Sequence, residues 1–285
     1  MATSANRFVH RTNAIDRLGQ TVVYAGELLR HPVYTRFLHW MVGIFFFLAL
    51  LSGFGIYLPW IFHFFTPLFG GGAMTRLLHP WFGLGFVFFF ALQAINWLDV
   101  MRWTPADSRW IKHMRTYISR TDSVESPETG FFNGGQKMMF WEIVCGCIAY
   151  LITGVIMWFP TTFGRILVSI SYVVHDLSAL IMLFGIFFHV YLSTFGEPGT
   201  IQAMTRGTVS EAWAWTHHPA WYKAVTGRDP QEAMKEAEAE MLALEGVAGP
   251  ALGPAVPLTA SPGEGLERWS LWSTCMRLLK KEPKK

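Results

Sequence analysis

Charged residues are scarce in this chain, which excludes an ordinary soluble domain. Asp, Glu, Lys and Arg make up 15% of its 285 residues, whereas soluble domains average about 25%. Cysteine is scarce too: Cys145 and Cys147 stand two apart, so they face different sides of a helix, and Cys275 stands alone. We interpret all three as structural. The sequence has neither a cysteine cluster for iron–sulfur centres nor a Gly-rich nucleotide-binding motif, so we expect the chain itself to oxidise no substrate.

Apolar residues are abundant and fall into long runs. The mean hydropathy is +0.29, and about 20 apolar residues suffice to cross a bilayer. Four stretches are long enough, roughly His39–Leu58, His79–Trp97, Met138–Phe159 and Leu167–Phe195. Backbone groups in lipid need partners within the protein, which favours helices. The sequence therefore predicts an all-α fold, an integral membrane four-helix bundle surrounded by lipid, with cytoplasmic N- and C-terminal extensions.

The basic residues predict the orientation of the bundle. Cytoplasmic loops carry an excess of Lys and Arg. The loops on one side hold Arg7, Arg11, Arg17, Arg30, Arg36, Arg102, Arg109, Lys112, Arg115, Arg120 and Lys137, whereas the other side holds only Arg76 and Arg165. We therefore expect both termini and the long loop Leu98–Gln136 to be cytoplasmic. Nearly forty polar residues precede the first span, which argues against a cleaved signal peptide.

Composition divides the chain into four parts. Residues 1–36 form a polar N-terminal arm, and residues 37–200 form the transmembrane domain. Residues 201–230 are Trp-rich and suit the membrane interface. Residues 231–285 comprise an acidic helix, a flexible linker and a basic amphipathic tail. In detail we expect a short amphipathic helix around Val22–Leu29, the acidic helix over Pro230–Glu245 and the linker over Gly246–Gly265.

Two histidines stand fourteen positions apart in the fourth apolar stretch. His175 and His189 are about 40° from sharing one direction on an α-helix and about 21 Å apart along it. An ionisable residue inside a membrane span is costly and marks a candidate functional site. Because successive spans alternate in direction, His39 lies level with His189 and His79 lies level with His175. This pairing depends only on the number and direction of the helices.

Two imidazoles at each of two depths suit the axial positions of two b haems. The sequence has no CxxCH attachment motif, so such haems would be held by the histidines alone. Arg36 and Arg76 each precede a candidate ligand by one turn, where an Arg can meet haem propionates or simply extend its charge into the headgroup layer. Polar contacts between helices are the alternative interpretation of the histidines. A zinc site is disfavoured because each level offers only two imidazoles.

The chain resembles the dihaem cytochrome b (gamma) subunit of membrane-bound respiratory formate dehydrogenase. The segments that carry the resemblance extend from about Arg36 to Tyr222 and are RFLHWMVG, SGFGIYLP, RLLHPWFG, FFNGGQKMMFWEI, LITGVIMW, FFHVYLS and HHPAWY. NGGQK before the third span is the most specific of them. The acidic helix and the tail beyond about residue 230 extend past this pattern.

This resemblance implies a function, in which the chain carries electrons from an iron–sulfur partner on the outer side through two b haems to a quinone near the cytoplasmic side. It also implies cofactors and partners. It implies two haem b groups held by His39 with His189 and by His79 with His175. It implies an iron–sulfur beta subunit, a molybdenum or tungsten catalytic alpha subunit, and location in the bacterial inner membrane. No nucleic-acid partner is expected.

The resemblance also implies a quinone, menaquinone or ubiquinone, as electron acceptor. It assigns the quinone site to Asn133 and Gly135 beside His189. The residues themselves agree, because a Gly pair allows close backbone approach and the amide of Asn133 or Gln136 can hydrogen-bond a quinone carbonyl. A plain helix cap over the same residues is the alternative.

Two other functions remain possible at this point. The same scaffold would serve a hydrogenase or another molybdoenzyme, because only the donor subunit would differ. A membrane anchor without redox activity would use the histidines only to join helices.

Overall fold

Four long helices dominate the structure. The computed structural model describes residues 26–58, 60–118 and 129–248. Four helices within them are long and apolar enough to cross a membrane. They are α1 (Val33–Tyr57), α2 (Gly72–Trp97), α3 (Gly134–Trp158) and α4 (Arg165–Tyr191), the last continued by a π-helical turn over Leu192–Gly196. The predicted all-α bundle with four spans is confirmed.

Each helix begins before the apolar stretch that predicted it. His39 and His79 do not begin their spans, as the sequence suggested, but lie six residues into α1 and seven into α2. Pro32 precedes α1 in an extended conformation, and Gly71 precedes α2 with φ of 98°. The additional helical turns place both imidazoles inside the four-helix bundle and not at its ends.

The bundle consists of two helical hairpins. Helix α1 packs along α2, and α3 packs along α4, while α2 and α3 join the hairpins. Buried aromatic side chains fill the join, among them Phe86, Phe90 and Phe140. Large apolar side chains cover the outside, including Phe88 and Phe184. An outer surface of large apolar side chains identifies an integral membrane protein, because such a surface is stable in contact with lipid and not with water.

A second, smaller core covers one end of the bundle. We call the end where α1 begins and α4 ends the proximal end, and the opposite end the distal end. Three helices pack at the proximal end, α5 (Glu211–His217), α6 (Pro219–Thr226) and α7 (Pro230–Ala248). Their core includes Trp213, Trp221 and Tyr222. We call this part the proximal cap.

A two-stranded ribbon ties the start of the described chain to the proximal cap. Strand β1 (Glu27–Leu29) pairs antiparallel with β2 (Thr208–Ser210), so that Leu28 faces Val209. The amphipathic helix expected around Val22–Leu29 is therefore wrong over residues 27–29, and its first part lies outside the described residues. Helix α7 confirms the acidic helix and extends it through residues 246–248. The rest of the predicted linker and the basic tail lie outside the described residues.

The long loop between α2 and α3 contains a helix over Pro105–Ile118. Its Trp110 is buried and packs against the start of α3. Cys145 is exposed and Cys147 is buried, as their spacing predicted. Cys275 lies outside the described residues.

Candidate functional site

The structure brings the four histidines together in two pairs, one at each depth. His79 of α2 and His175 of α4 form the distal pair, with ring centroids 6.2 Å apart. His39 of α1 and His189 of α4 form the proximal pair, with ring centroids 5.9 Å apart. Both pairs join the first hairpin to α4. The alternation of helix direction thus placed the right partners opposite one another.

The ring separations fit one metal between each pair. Two imidazoles on opposite sides of one iron, each with a metal–nitrogen bond of about 2.0 Å, have ring centres about 6.4 Å apart. Helix α4 packs on α3 rather than along α1 or α2, so the rings cross a gap between the hairpins. No group of three or more His, Cys, Asp or Glu in the described ranges can hold a metal ion. A bis-imidazole haem iron therefore fits these donors better than zinc does.

Hydrogen bonds fix which nitrogen of the His79 imidazole is available to a metal. His79 Nδ1 lies 3.0 Å from Ser52 Oγ, which donates its own proton to the Leu48 carbonyl at 2.6 Å. Ser52 therefore accepts from the His79 Nδ1–H, and Nε2 keeps its lone pair. A metal-bound histidine usually donates a hydrogen bond from its other ring nitrogen to an acceptor in the protein. The donor set thus fits an axial ligand.

The proximal pair lacks this support on one side. His39 Nδ1 is buried, and no atom of the described chain hydrogen-bonds to it. The neighbouring Trp40 ring and the His39 imidazole pack at nearly right angles, with centroids 5.5 Å apart. The two levels therefore share their ligand type but differ in what holds the ligands.

The two arginines predicted near the ligands occupy different surroundings. Arg36 donates from Nη1 to the Thr205 carbonyl at 2.8 Å, so it joins α1 to the segment after α4. Arg76 lies exposed at the distal end, one turn before His79. A role in holding propionates stays a prediction for both.

The NGGQK segment forms the N-terminal cap of α3. Asn133 Oδ1 accepts from the Gln136 backbone N–H at 2.9 Å, and Gln136 Oε1 accepts from the Asn133 backbone N–H at 3.0 Å. This is a capping box. A Cβ on Gly135 would lie 2.9 Å from Trp110 Cη2, so the glycine admits the indole. The structure therefore contains the helix cap that was the alternative interpretation of this segment. A quinone site here must leave that cap in place.

A buried cluster around Arg30 in the proximal cap was missed by sequence reasoning. Arg30 is 1% exposed. Its guanidinium carbon lies 3.9 Å from the Phe131 ring centroid and 4.3 Å from that of Trp221, and it donates to the Phe131 carbonyl. His218 Nδ1 lies 2.7 Å from the Gly130 carbonyl, to which it donates. The HHPAWY segment therefore locks the cap onto the residues just before NGGQK.

His31 completes this cluster, although the sequence placed it in a polar arm. It is 3% exposed, and its ring packs against Trp97, Phe131 and Phe132. Burial and the charge of Arg30 hold the pKa of His31 and of His218 well below the usual value of 6.5. Only the Trp-rich composition of the neighbouring segment signalled a packed site here.

Acidification is expected to loosen the proximal cap. The folded protein keeps His31 and His218 neutral, whereas the unfolded chain binds protons below about pH 6.5. Their contribution to stability is therefore complete above that pH and is lost as the pH falls further. Thermal unfolding followed by Trp fluorescence from pH 7.5 to 5 measures the loss. His31→Phe should match the native protein at pH 7.5 and lose less on acidification, because Phe fills the aromatic site without titrating. Equal pH dependence in the two proteins would contradict this account.

Comparison with known proteins agrees with this geometry. A sequence model of the family described as prokaryotic cytochrome b561 matches residues 30–207. The nitrate-inducible formate dehydrogenase cytochrome b556(Fdn) subunit of Escherichia coli is 32% identical over 214 residues, which is 74% of this chain and 96% of the relative. The formate dehydrogenase cytochrome b556 subunit of Haemophilus influenzae is 30% identical over 219 residues, 76% of this chain and 88% of the relative.

The matched region contains all four spans and both histidine pairs. Cytochromes b of this family bind haem b and transfer electrons in the membrane, which is the chemistry that two imidazoles on one iron support. Four lipid-facing helices, paired imidazoles and relatives matched over nearly their full length thus agree with one another. The chain belongs to the prokaryotic cytochrome b561 family, as a haem b electron-transfer protein of the group that includes the formate dehydrogenase cytochrome b556 subunits.

Proposed function

We propose that this chain is the membrane subunit of a respiratory formate dehydrogenase. It would accept electrons from an iron–sulfur beta subunit on the outer side of the bacterial inner membrane and deliver them to a quinone on the cytoplasmic side. A molybdenum or tungsten alpha subunit would oxidise formate. The observation that carries the proposal is the stack of two level imidazole pairs across one bundle. Relatives named as formate dehydrogenase subunits and matched over almost their whole length favour formate as the donor.

Each pair of histidines would hold one haem. His79 and His175 would ligate the distal haem, and His39 and His189 the proximal haem. Haem b with two imidazole ligands supplies one-electron transfer and leaves no coordination position for a substrate. The chain's own contribution is to hold the rings at fixed depths, because α4 presents a ligand to each pair from one rigid helix.

The charge distribution supports an orientation with the proximal end in the cytoplasm. The basic residues of the loops collect at that end, including Arg102 and Lys137, whereas Arg76 and Arg165 lie at the distal end. By the positive-inside rule both termini are then cytoplasmic. Electrons would move inward while protons are taken up from the cytoplasm, which would build membrane potential.

We propose that the quinone site comprises Asn133, Gly135 and Gln136, at the same proximal end as His189. In the capping box the amide oxygens of Asn133 and Gln136 accept from the backbone. A quinone carbonyl would therefore accept from an amide nitrogen at this site rather than compete for the cap. Menaquinone and ubiquinone both present such a carbonyl.

The donor can be identified in the purified complex. Anaerobic addition of formate should reduce the haems, as seen in the α-band of the optical spectrum, and hydrogen should not. Reduction by hydrogen but not by formate would instead identify a hydrogenase cytochrome b. If no reduced haem b spectrum develops with dithionite, the chain carries no redox-active haem and the proposal fails.

Replacing Asn133 with alanine is expected to lower quinone turnover by about tenfold or more while both haems stay bound, because one hydrogen bond at an electron-accepting site is lost. The same change removes a helix cap that stabilises by about 1 kcal/mol. Ser210→Ala is the matched control, since Ser210 caps α5 through the Trp213 backbone N–H at 3.1 Å. Formate-to-quinone turnover at saturating formate measures the effect. Equal turnover in the two variants would place the acceptor site elsewhere.

A further inference from the structure

We infer that Ser52 and Thr153 are positioning residues that set the reduction potential of the distal haem below that of the proximal haem. The inference rests on the proposed function, in which His79 and His175 are axial ligands. It goes further, because it names the side chains that favour the direction of electron flow given in the proposed function.

In both hairpins, a hydroxyl residue followed by a glycine lies against a distal imidazole. In the first hairpin, Ser52 and Gly53 of α1 face His79 of α2. In the second, Thr153 and Gly154 of α3 face His175 of α4. A Cβ on Gly53 would lie 3.2 Å from His79 Cε1, and a Cβ on Gly154 would lie 4.0 Å from His175 Cε1. A side chain at position 53 would press on the ring, whereas one at position 154 would only touch it. Both rings lie against the neighbouring helix, where the adjacent hydroxyl meets them.

The direction of both hydrogen bonds follows from the backbone. Thr153 Oγ1 donates to the Ala149 carbonyl at 2.6 Å and lies 2.8 Å from His175 Nδ1. With its proton used, the hydroxyl can only accept from the imidazole. Ser52 makes the equivalent arrangement with Leu48 and His79. Both hydroxyls are buried, with Ser52 fully so and Thr153 5% exposed. Neither bond therefore competes with water.

A hydrogen bond from the distant nitrogen of a ligand makes the ligand more basic. A more basic imidazole favours ferric over ferrous iron, so it lowers the reduction potential. Both distal ligands receive this effect. On the proximal side, His39 Nδ1 is buried without a hydrogen-bond partner in the described chain. The proximal haem therefore has the higher potential, and an electron that enters at the distal end is drawn toward the proximal end.

A redox titration of the purified complex tests this inference. Ser52→Ala and Thr153→Val should each keep both haems and raise the potential of the distal haem alone. The equilibrium for sharing one electron between the haems should move about tenfold toward the distal haem, which is 59 mV for a one-electron couple. The low-spin ferric signal of that haem in electron paramagnetic resonance should shift with it. Ser52→Thr and Thr153→Ser should restore the native values, because each keeps a hydroxyl.

Thr75→Val is the matched control. The Thr75 hydroxyl is also buried, lies in α2 one turn before His79 and donates to the Gly71 carbonyl at 2.9 Å. It is not paired with an imidazole, so its removal should leave both potentials unchanged. If Ser52→Ala loses the distal haem, Ser52→Cys keeps the shape with a weaker acceptor and should show the rise in potential.

The outcomes separate this inference from the function on which it rests. Unchanged potentials in both hydroxyl variants, with two haems bound, would overturn the inference and leave the haem ligands as proposed. A shift in the Thr75→Val control as large as in the variants would also overturn it. Retention of both haems in His79→Ala protein would instead remove the proposed ligand set.

Discussion

His79→Ala or His175→Ala is expected to reduce the haem content of the purified chain from two groups to one. Each substitution removes one of the two protein ligands that the proposed function gives to the distal iron, and haem b has no covalent attachment to the protein. The remaining haem should keep the spectrum of the proximal site. Haem extracted as a pyridine complex and divided by the amount of polypeptide measures this ratio. His39→Ala should remove the other haem by the same reasoning.

His63→Ala is the matched control for the distal substitutions. His63 lies at the same end of the bundle in a short helical turn over Phe62–Phe65, and it is exposed. Its loss should leave two haems bound. A chain that keeps both haems after His79→Ala, or loses one after His63→Ala, would show that the imidazole pairs are contacts between helices and not ligand pairs.

Lys137→Met is expected to destabilise the protein by about 3–5 kcal/mol, because it leaves an uncompensated buried charge. Lys137 Nζ lies 2.7 Å from Asp107 Oδ2, and both side chains are at most 8% exposed. Lys137 also donates to the Arg102 carbonyl at 3.1 Å. This pair fastens the helix Pro105–Ile118 to the start of α3. Thermal or denaturant unfolding in detergent measures the loss.

Two further variants show whether burial is the cause. Adding Asp107→Asn to Lys137→Met removes the stranded charge and should recover most of the lost stability. Lys223 and Asp229 form a pair at 3.3 Å whose side chains are 62% and 39% exposed, so Lys223→Met should cost less than about 1 kcal/mol. A similar loss in Lys223→Met and Lys137→Met would show that burial does not explain the effect.

The helices and their pairing could be predicted because both follow from local properties. Hydropathy marks the lipid-facing length of each span, and alternation of direction then sets which histidines lie level. The ends of the helices depend on other signals. Pro32 immediately precedes α1 and Gly71 immediately precedes α2, but a hydropathy window does not detect either residue. For this reason His39 and His79 were placed at the rim and not within the helices.

The proximal cap could not be predicted, because its contacts join residues far apart in the chain. Arg30 meets His218 across 188 positions, and β1 forms only because Thr208–Ser210 lies beside it. A three-residue strand in such surroundings has no local pattern. The NGGQK sequence is consistent with a helix cap and with a quinone site. The structure shows the helix cap, and the quinone turnover of the Asn133→Ala variant tests the quinone site.

The connection between β1 and β2 constrains how the protein matures. The backbone N–H groups of Arg30 and His31 both donate to the Gly207 carbonyl, and Trp40 donates to the Met204 carbonyl. These bonds bridge the start of α1 and the segment that follows α4. The ribosome releases that segment only after all four spans, so the bridge cannot close before the whole membrane domain has been synthesised. The start of α1 is therefore fixed to the proximal end only after α4 has been made.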